Sequence, residues 1–325
     1  MKNELLGLLP LLKGKKILVL GDIMLDKYIW GEVFRISPEA PVPIVHVTKE
    51  SYVPGGAANV ANNIVGIGGE AYVCSVVGQD RSGKVLIEEL EKRGIKTGAV
   101  VEEDSRPTIQ KIRVMGGRQQ LLRMDRENSD YVGQETEKKL IDKIMPLLDS
   151  VDAVVISDYA KGAITEKVME IIRKCCNETK KPVIVDGKPV HKSWFRDLTI
   201  ITPNTNEAIE MSGIVIRNEE DVVSVGKKLM EELNTNVLIT QGEKGMTLFE
   251  KKGGVSGIPT KAREVYDVSG AGDTVVGVLA LCLASGIDLS KASLLANYAA
   301  GVVVGKIGTA TASLEEVKEA IENDS

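Results

Sequence analysis

The chain has only two histidines, His46 and His191, and neither stands at a spacing that suits a metal site or a catalytic triad. Both read as structural or surface residues. Cysteine is scarce too. Cys74, Cys175, Cys176 and Cys282 fit no zinc-binding spacing. Cys175 and Cys176 are neighbours, a poor geometry for a disulfide. Free thiols in a reducing compartment are the expectation. No apolar run reaches the roughly 18 residues a membrane helix needs. The apolar N-terminal stretch is interrupted by Glu4, Pro10 and the lysines between 13 and 16, and it lacks a small-residue cleavage site. A cytoplasmic protein is expected. Positive charge is in deficit, with a net charge of −5 and a pI near 5.4. That argues against nucleic acid or an anionic membrane as partner, so any basic site must be local. Finally, no G-x-G-x-x-G follows the first strand-like run, which removes a dinucleotide-dependent oxidoreductase.

What is present points to an α/β protein. The 325 residues are 43% hydrophobic, enough to build the core of one large or two small domains. "KILVLG" (16–21) reads as a buried parallel strand. Similar runs recur at 70–78, 151–157, 181–186, 198–203 and 236–242. Amphipathic helical patterns at 81–94, 135–150 and 219–234 lie between them. The alternation predicts a mostly parallel sheet with helices on both faces. Residues 28–50 and 97–125 break the rhythm. The second holds two β-like runs around Gly116 and Gly117, a hairpin signal. Together these segments are expected to form a small β lid over the C-terminal strand ends, where ligands of open α/β sheets bind.

Two glycine-rich segments carry the chemistry. In "PGGAANVANNIVGIGG" (54–69), Gly55 and Gly56 allow a tight turn and a helix follows. Asn59, Asn62 and Asn63 are unusual inside a helix. They read either as sugar-hydroxyl ligands or as incidental polar residues. In "DVSGAGDT" (267–274), Gly270, Ala271 and Gly272 begin a small-residue helix, so free N–H groups and the positive dipole end favour an anion there. Asp273 ends the loop with a negative charge. It reads either as a residue that satisfies its own helix end or as a base taking a proton from a hydroxyl that attacks a phosphate.

The two segments, in this order and about 200 residues apart, resemble the N- and C-terminal signatures of the ribokinase-like (PfkB) sugar kinases. "TPNTNEA" (202–208) is similar to that family's N-x-x-E element, and the likeness runs from about Lys16 to about Ala312. It implies a single kinase domain over 1–325, with the lid inserted at about 28–50 and 97–125. A narrower resemblance, to the kinase domain of the bacterial heptose-phosphate kinases of ADP-heptose synthesis, rests on "GDIMLDKYIWGEVFRISPEAPVPIV", "RQQLLRMD" and "SDYAKGAI". Many of those kinases are fused to a nucleotidyltransferase. Its H-x-G-H motif is missing before Ser325, so a kinase without the transferase is expected.

The resemblance implies ATP and Mg²⁺ as cofactors and Asp273 as catalytic base, with Gly270, Ala271 and Gly272 as the anion hole. Asn204, Thr205, Asn206 and Glu207 would organise Mg²⁺ and phosphates, Glu207 through water. Lys188, in "DGK" where relatives often have D-P-K, would reach the ATP phosphates. Thr240, Gly242 and Asn297 would line the nucleotide site. Asp267 and Ser269, with the 303–309 loop, resemble a monovalent-cation site of the K⁺ type. Asp22, Asp26, Gly55, Gly56 and Asn59 would bind sugar hydroxyls, and Asp158 would join the substrate site. Arg113, Arg123 and Lys161 are the candidate cations for a sugar phosphate. A homodimer through the lid is expected. The rivals are a kinase of the same family acting on a hexose phosphate or ribose, and a non-catalytic sugar or nucleotide sensor.

Overall fold

The computed structural model describes residues 2–117, 119–262, 265–306, 308 and 310–324. Among them, the strands in chain order are β1 (Lys16–Gly21), β2 (Ile23–Ile36), β3 (Pro43–Gly56), β4 (Glu70–Gly78), β5 (Lys96–Glu103), β6 (Gln110–Gly116), β7 (Gln119–Arg126), β8 (Ala153–Ser157), β9 (Val183–Asp186), β10 (Ile200–Ile201), β11 (Asn236–Thr240), β12 (Met246–Phe249) and β13 (Val255–Ile258). The helices are α1 (Lys2–Leu8), α2 (Ala57–Ile67), α3 (Arg81–Lys92), α4 (Gln134–Ser150), α5 (Glu166–Thr179), α6 (Thr205–Ser212), α7 (Glu219–Leu233), α8 (Ala271–Ala284), α9 (Leu289–Val304) and α10 (Leu314–Glu322).

The expected α/β architecture is present. Nine strands form the main sheet in the order β13-β12-β11-β10-β9-β8-β1-β4-β5. All neighbours are parallel except the β11–β12 and β12–β13 pairs. The central strand shows why its run is uniformly apolar. Ile17 and Val19 face the core under α2, α8 and α9, while Leu18 and Leu20 face the core under α4, α5 and α7. A strand covered on both faces needs apolar side chains at every position. The chain runs outward from β1 through β4 to β5, then returns to β8 on the other side of β1. The sheet therefore reverses direction between β1 and β8, and a crevice opens beyond their carboxyl ends.

The second sheet has the order β3-β2-β6-β7. Strands β2 and β3 form a long antiparallel pair bent by two register shifts, and β6 and β7 form the hairpin expected at Gly116 and Gly117. One boundary needs correction. Residues 97–103, expected in the lid, belong to β5 and pair with β4 at the edge of the main sheet. Half-buried alternation is shared by an edge strand and a lid strand, so the pattern alone does not separate them. Burial also explains the thiols. All four cysteines are free, and desolvation pushes Cys74 up to about 12 and Cys176 up to about 11.

Candidate active site

The site gathers where β1, β8 and β9 end and where α2 and α8 begin. Gly270 caps the start of α8, and its φ of 81° is a left-handed conformation that favours glycine. Beyond its first turn the helix is apolar and buried. Its entrance therefore points out of the core while its body is anchored in it. Among the described residues, the N–H groups of Gly270 and Gly272 have no acceptor, and that of Ala271 makes only a long 3.3 Å bond to the Val268 carbonyl. This is a ready anion site.

Asp273 sits one residue further on, with 8% of its surface exposed. Asn59 Nδ2 donates to its Oδ2 at 2.7 Å, and the Tyr159 hydroxyl donates to its Oδ1 at 3.0 Å. Burial pushes the carboxyl up to about 6, while the two donated hydrogen bonds restrain the rise. Asn59 is fully buried in the first turn of α2. Its Nδ2 must face the carboxylate, which leaves Oδ1 buried without a partner. An orphaned acceptor at this place fits a hydroxyl-bearing ligand. Asn63 Nδ2 donates to the Asn59 carbonyl, and Asn63 Oδ1 accepts from Thr274. Two of the asparagines are thus neither surface decoration nor caps; they tie α2 to α8.

Gly56 explains how α2 reaches this position. Its φ is 59°, and a Cβ there would lie 2.5 Å from the Asp22 carbonyl oxygen. Asp22 follows β1 and is fully buried. Its oxygens accept the backbone N–H groups of Tyr159, Lys161 and Ala163 at 2.9, 3.0 and 3.0 Å. It clamps the loop that presents Tyr159. Asp158 does related work: Oδ1 accepts from Ala160 N–H, and Oδ2 bonds His191 Nδ1 at 2.6 Å. Of the two readings left open for it, structural or surface, His191 takes the first: it is buried, stacked on Trp194 at 4.0 Å and bonded to the Tyr131 hydroxyl. The pair joins the loop after β8 to the one after β9.

On the other side of Asp273 lies a second acidic group. Asn204 and Glu207 form a reciprocal capping box at the start of α6. Lys188 Nζ contacts Glu207 Oε1 at 2.5 Å. Asp186, at the end of β9, is pushed up to about 7, first by burial and then by the charges of Asp273 and Glu207. Its carboxylate has no hydrogen-bond partner among the described residues. A cation would relieve this repulsion. The carboxylates of Asp186 and Glu207 are oxygen donors that fit a hydrated Mg²⁺ held largely through water. Thr205 bonds the Thr240 carbonyl, and Asn204 bridges β11 at Thr240. Asn206 is exposed, and Gly242 has a φ of 59° in the turn after β11. Asn297 Nδ2 holds the Pro259 carbonyl at 2.7 Å. Asp267 accepts the N–H groups of Ser269 and Gly308, which joins the anion loop to the end of α9. Ile307 and Thr309 of the expected cation loop lie outside the described residues.

The candidate sugar-phosphate cations are all engaged. Arg113 pairs with Asp26 at 2.7 Å, Arg123 with Asp125 at 2.6 Å, and Lys161 with Glu127 at 2.7 Å. Gly55 lies opposite Met24 in the β2–β3 pair, beside Asp26. Sequence reasoning missed Tyr159, Asp186 and Lys111. Tyr159 lies inside "SDYAKG" and Asp186 beside Lys188, both in segments valued for their neighbours.

This fold and site define a sugar kinase. The chain belongs to the pfkB family carbohydrate kinases, whose model matches residues 15–316. It is 44% identical over 301 residues to the bifunctional protein HldE of Geobacter sulfurreducens, covering 92% of this chain and 61% of that protein. It is 43% identical over 305 residues to the bifunctional protein HldE of a Nitratiruptor species, covering 94% and 64%. The chain thus spans about three fifths of the length of these relatives. Among solved structures, Arabidopsis thaliana ribokinase complexed with ribose and ATP superposes with a TM-score of 0.75 at 18% identity, covering 96% of this chain and 100% of that one. Escherichia coli phosphofructokinase-2 in complex with potassium gives 0.77 at 18%, covering 95% and 98%. At such identity these two show the shared fold. Among the described residues no helix is long and apolar enough to cross a membrane.

The geometry around Asp273 makes a pH prediction. If turnover requires an ionised Asp273, kcat/KM should rise with pH through a value near 6. The Tyr159 hydroxyl stabilises the ionised form. Tyr159→Phe should therefore raise the pKa of Asp273 and move the acid limb to higher pH. An unmoved or downward-shifted limb would show that Tyr159 does not tune an Asp273 ionisation that limits turnover.

Proposed function

We propose that this chain transfers the terminal phosphoryl group of ATP to the anomeric hydroxyl of D-glycero-D-manno-heptose 7-phosphate. The products are heptose 1,7-bisphosphate and ADP, and the reaction serves nucleotide-activated heptose synthesis. One observation carries the reaction class: a buried carboxylate, Asp273, stands beside the open N–H groups of the α8 N-terminus. The heptose assignment is supported by the relatives named HldE and by the segments 21–45 and 118–125.

In this reading Asp273 removes the acceptor's proton as the hydroxyl attacks. The burial that raises its pKa keeps it a competent base near neutral pH. The N–H groups of Gly270, Ala271 and Gly272 stabilise charge on the transferring group. Asn59 holds the base through Nδ2 and offers Oδ1 to a sugar hydroxyl. Asp22, Asp26, Gly55, Gly56 and Asp158 shape the sugar side. Lys188, Asn204, Thr205, Asn206, Glu207, Thr240, Gly242 and Asn297 form the nucleotide side. Bound MgATP supplies the phosphoryl group and the metal charge that offsets its phosphates. Asp186 and Glu207 are the side chains placed to hold that metal's water shell. Asp267 and Ser269 are proposed to hold a monovalent cation such as K⁺. A cytoplasmic setting follows from ATP, a sugar phosphate and four free thiols.

Asp273→Asn should fold and bind nucleotide like the parent, while turnover falls by roughly two to four orders of magnitude. Unchanged turnover would remove Asp273 from the mechanism and favour a sensor. In a substrate panel, heptose 7-phosphate should give the highest kcat/KM. A higher value for fructose 6-phosphate or ribose would refute the heptose assignment.

The lid supports a further proposal, a homodimer. Strands β3 and β7 are open edges, and the lid exposes Phe34 at 75%, Ile36 at 60% and Leu122 at 52%. Apolar side chains beside unpaired edges favour pairing with a second copy. Light scattering at micromolar concentration should give a dimer mass, with Phe34→Asp shifting it toward monomer. A monomer mass for the parent would contradict the proposal.

A further inference from the structure

The inner face of the lid is set by strand register. On β6, Lys111 lies opposite Asp26 of β2 and Asp125 of β7, and Arg113 lies opposite Tyr28 and Arg123. Directly paired residues share a face, so Asp26, Tyr28, Lys111, Arg113, Arg123 and Asp125 project together. This face looks toward the site, because Lys111 Nζ rests 5.7 Å from the centre of the Tyr159 ring. The opposite face carries the exposed Leu122 and Met124.

The charges on the inner face do not balance. Arg113 is matched by Asp26, and Arg123 is gripped through two nitrogens by Asp125. Lys161 and Lys188 have Glu127 and Glu207. Among the described residues Lys111 makes no hydrogen bond and no direct ion pair, although Asp26 and Asp125 lie opposite it. It is half-buried, and burial pulls its pKa below the usual lysine value. A half-buried ammonium whose two nearest carboxylates are already paired with Arg113 and Arg123 is under-compensated. An anionic ligand would remove that cost.

Tyr159 gives the vacancy a direction. Its hydroxyl holds Asp273 Oδ1 while its ring lies under Lys111. Lys188 approaches the same ring at 5.5 Å and belongs to the nucleotide side through Glu207. One aromatic side chain thus separates the base from a lid cation and from a nucleotide-side cation. An acceptor whose reacting hydroxyl lies at Asp273 extends along the ring to the lid.

We propose that Lys111 is the cation that binds the phosphate ester of a phosphorylated acceptor sugar. The inference rests on the kinase reading above and selects phosphorylated over unphosphorylated sugars. Arg113 and Arg123, already neutralised, orient the two aspartates beside it.

The test compares kcat/KM for a phosphorylated acceptor with that for its unphosphorylated parent, using heptose 7-phosphate and heptose. If the parent enzyme works faster on a different sugar phosphate, the heptose assignment fails, and the ratio is read on that pair instead. Lys111→Met keeps the aliphatic stem over Tyr159 and removes the charge. The ratio should fall roughly 10- to 100-fold, the worth of one charge-assisted hydrogen bond. Lys111→Arg should retain most of the ratio. Calorimetric titration with the sugar phosphate should show weaker binding to Lys111→Met, with melting temperature confirming its fold. If Lys111→Met melts early, Lys111→Gln supplies the same comparison. An unchanged ratio in a folded variant would overturn the proposal, as would a parent enzyme indifferent to the phosphate.

Discussion

The site depends on keeping a carboxylate ionised where there is little water. Asp273 is 8% exposed, and a buried charge without donors is too costly to persist. Two donors meet it from different parts of the chain: Asn59 from the start of α2, and Tyr159 from the loop after β8. Neither arrives by accident. Asn59 is placed by Gly56 and by the packing of α2 along α8. Tyr159 is placed by Asp22, which accepts three backbone N–H groups of its loop. The reversal of the sheet between β1 and β8 brings these segments together. The same fold feature that opens a crevice thus supplies the donors that favour an ionised Asp273 within it.

A second balance surrounds the first. Asp186, Glu207 and Asp273 crowd negative charge at one end of the crevice, and Asp186 is pushed up to about 7 as a result. Lys188 offsets them on that side. The lid carries the reverse imbalance, with Lys111 left over after its neighbours are paired. The protein alone is therefore electrostatically incomplete at both ends of the site. In the proposed reading, a metal-bound nucleotide would relieve one end and a sugar phosphate the other. On that reading, a chain of net charge −5 would take anionic substrates through local charges.

Much of this was legible in the sequence. The parallel sheet showed in its apolar runs, the open start of α8 in Gly270–Gly272, and the lid hairpin in Gly116 and Gly117. Roles that depend on distant partners were not legible. Tyr159 becomes meaningful only when its hydroxyl meets Asp273, 114 positions later. Arg113, Arg123 and Lys161 looked available because their carboxylate partners are assigned by sheet register and loop packing rather than by spacing. Lys111 stands out only by subtraction, once those partners are known. The boundary at 97–103 failed for a related reason, since edge strands of either sheet share one pattern. Asn59 and Asn63 were ambiguous because an asparagine inside a helix reveals its purpose only through the helix it faces.

The central claim is that Asp273 meets the acceptor hydroxyl while the α8 N-terminus meets the transferring group. A crystal structure with heptose 7-phosphate and a non-hydrolysable ATP analogue tests it most directly. The account predicts the anomeric oxygen within hydrogen-bond reach, about 3 Å, of an Asp273 carboxylate oxygen, with the analogue's terminal phosphate facing the N–H groups of Gly270 to Gly272. A complex in which Asp273 stays bonded only to Asn59 and Tyr159, with the acceptor hydroxyl turned to another group, would contradict it.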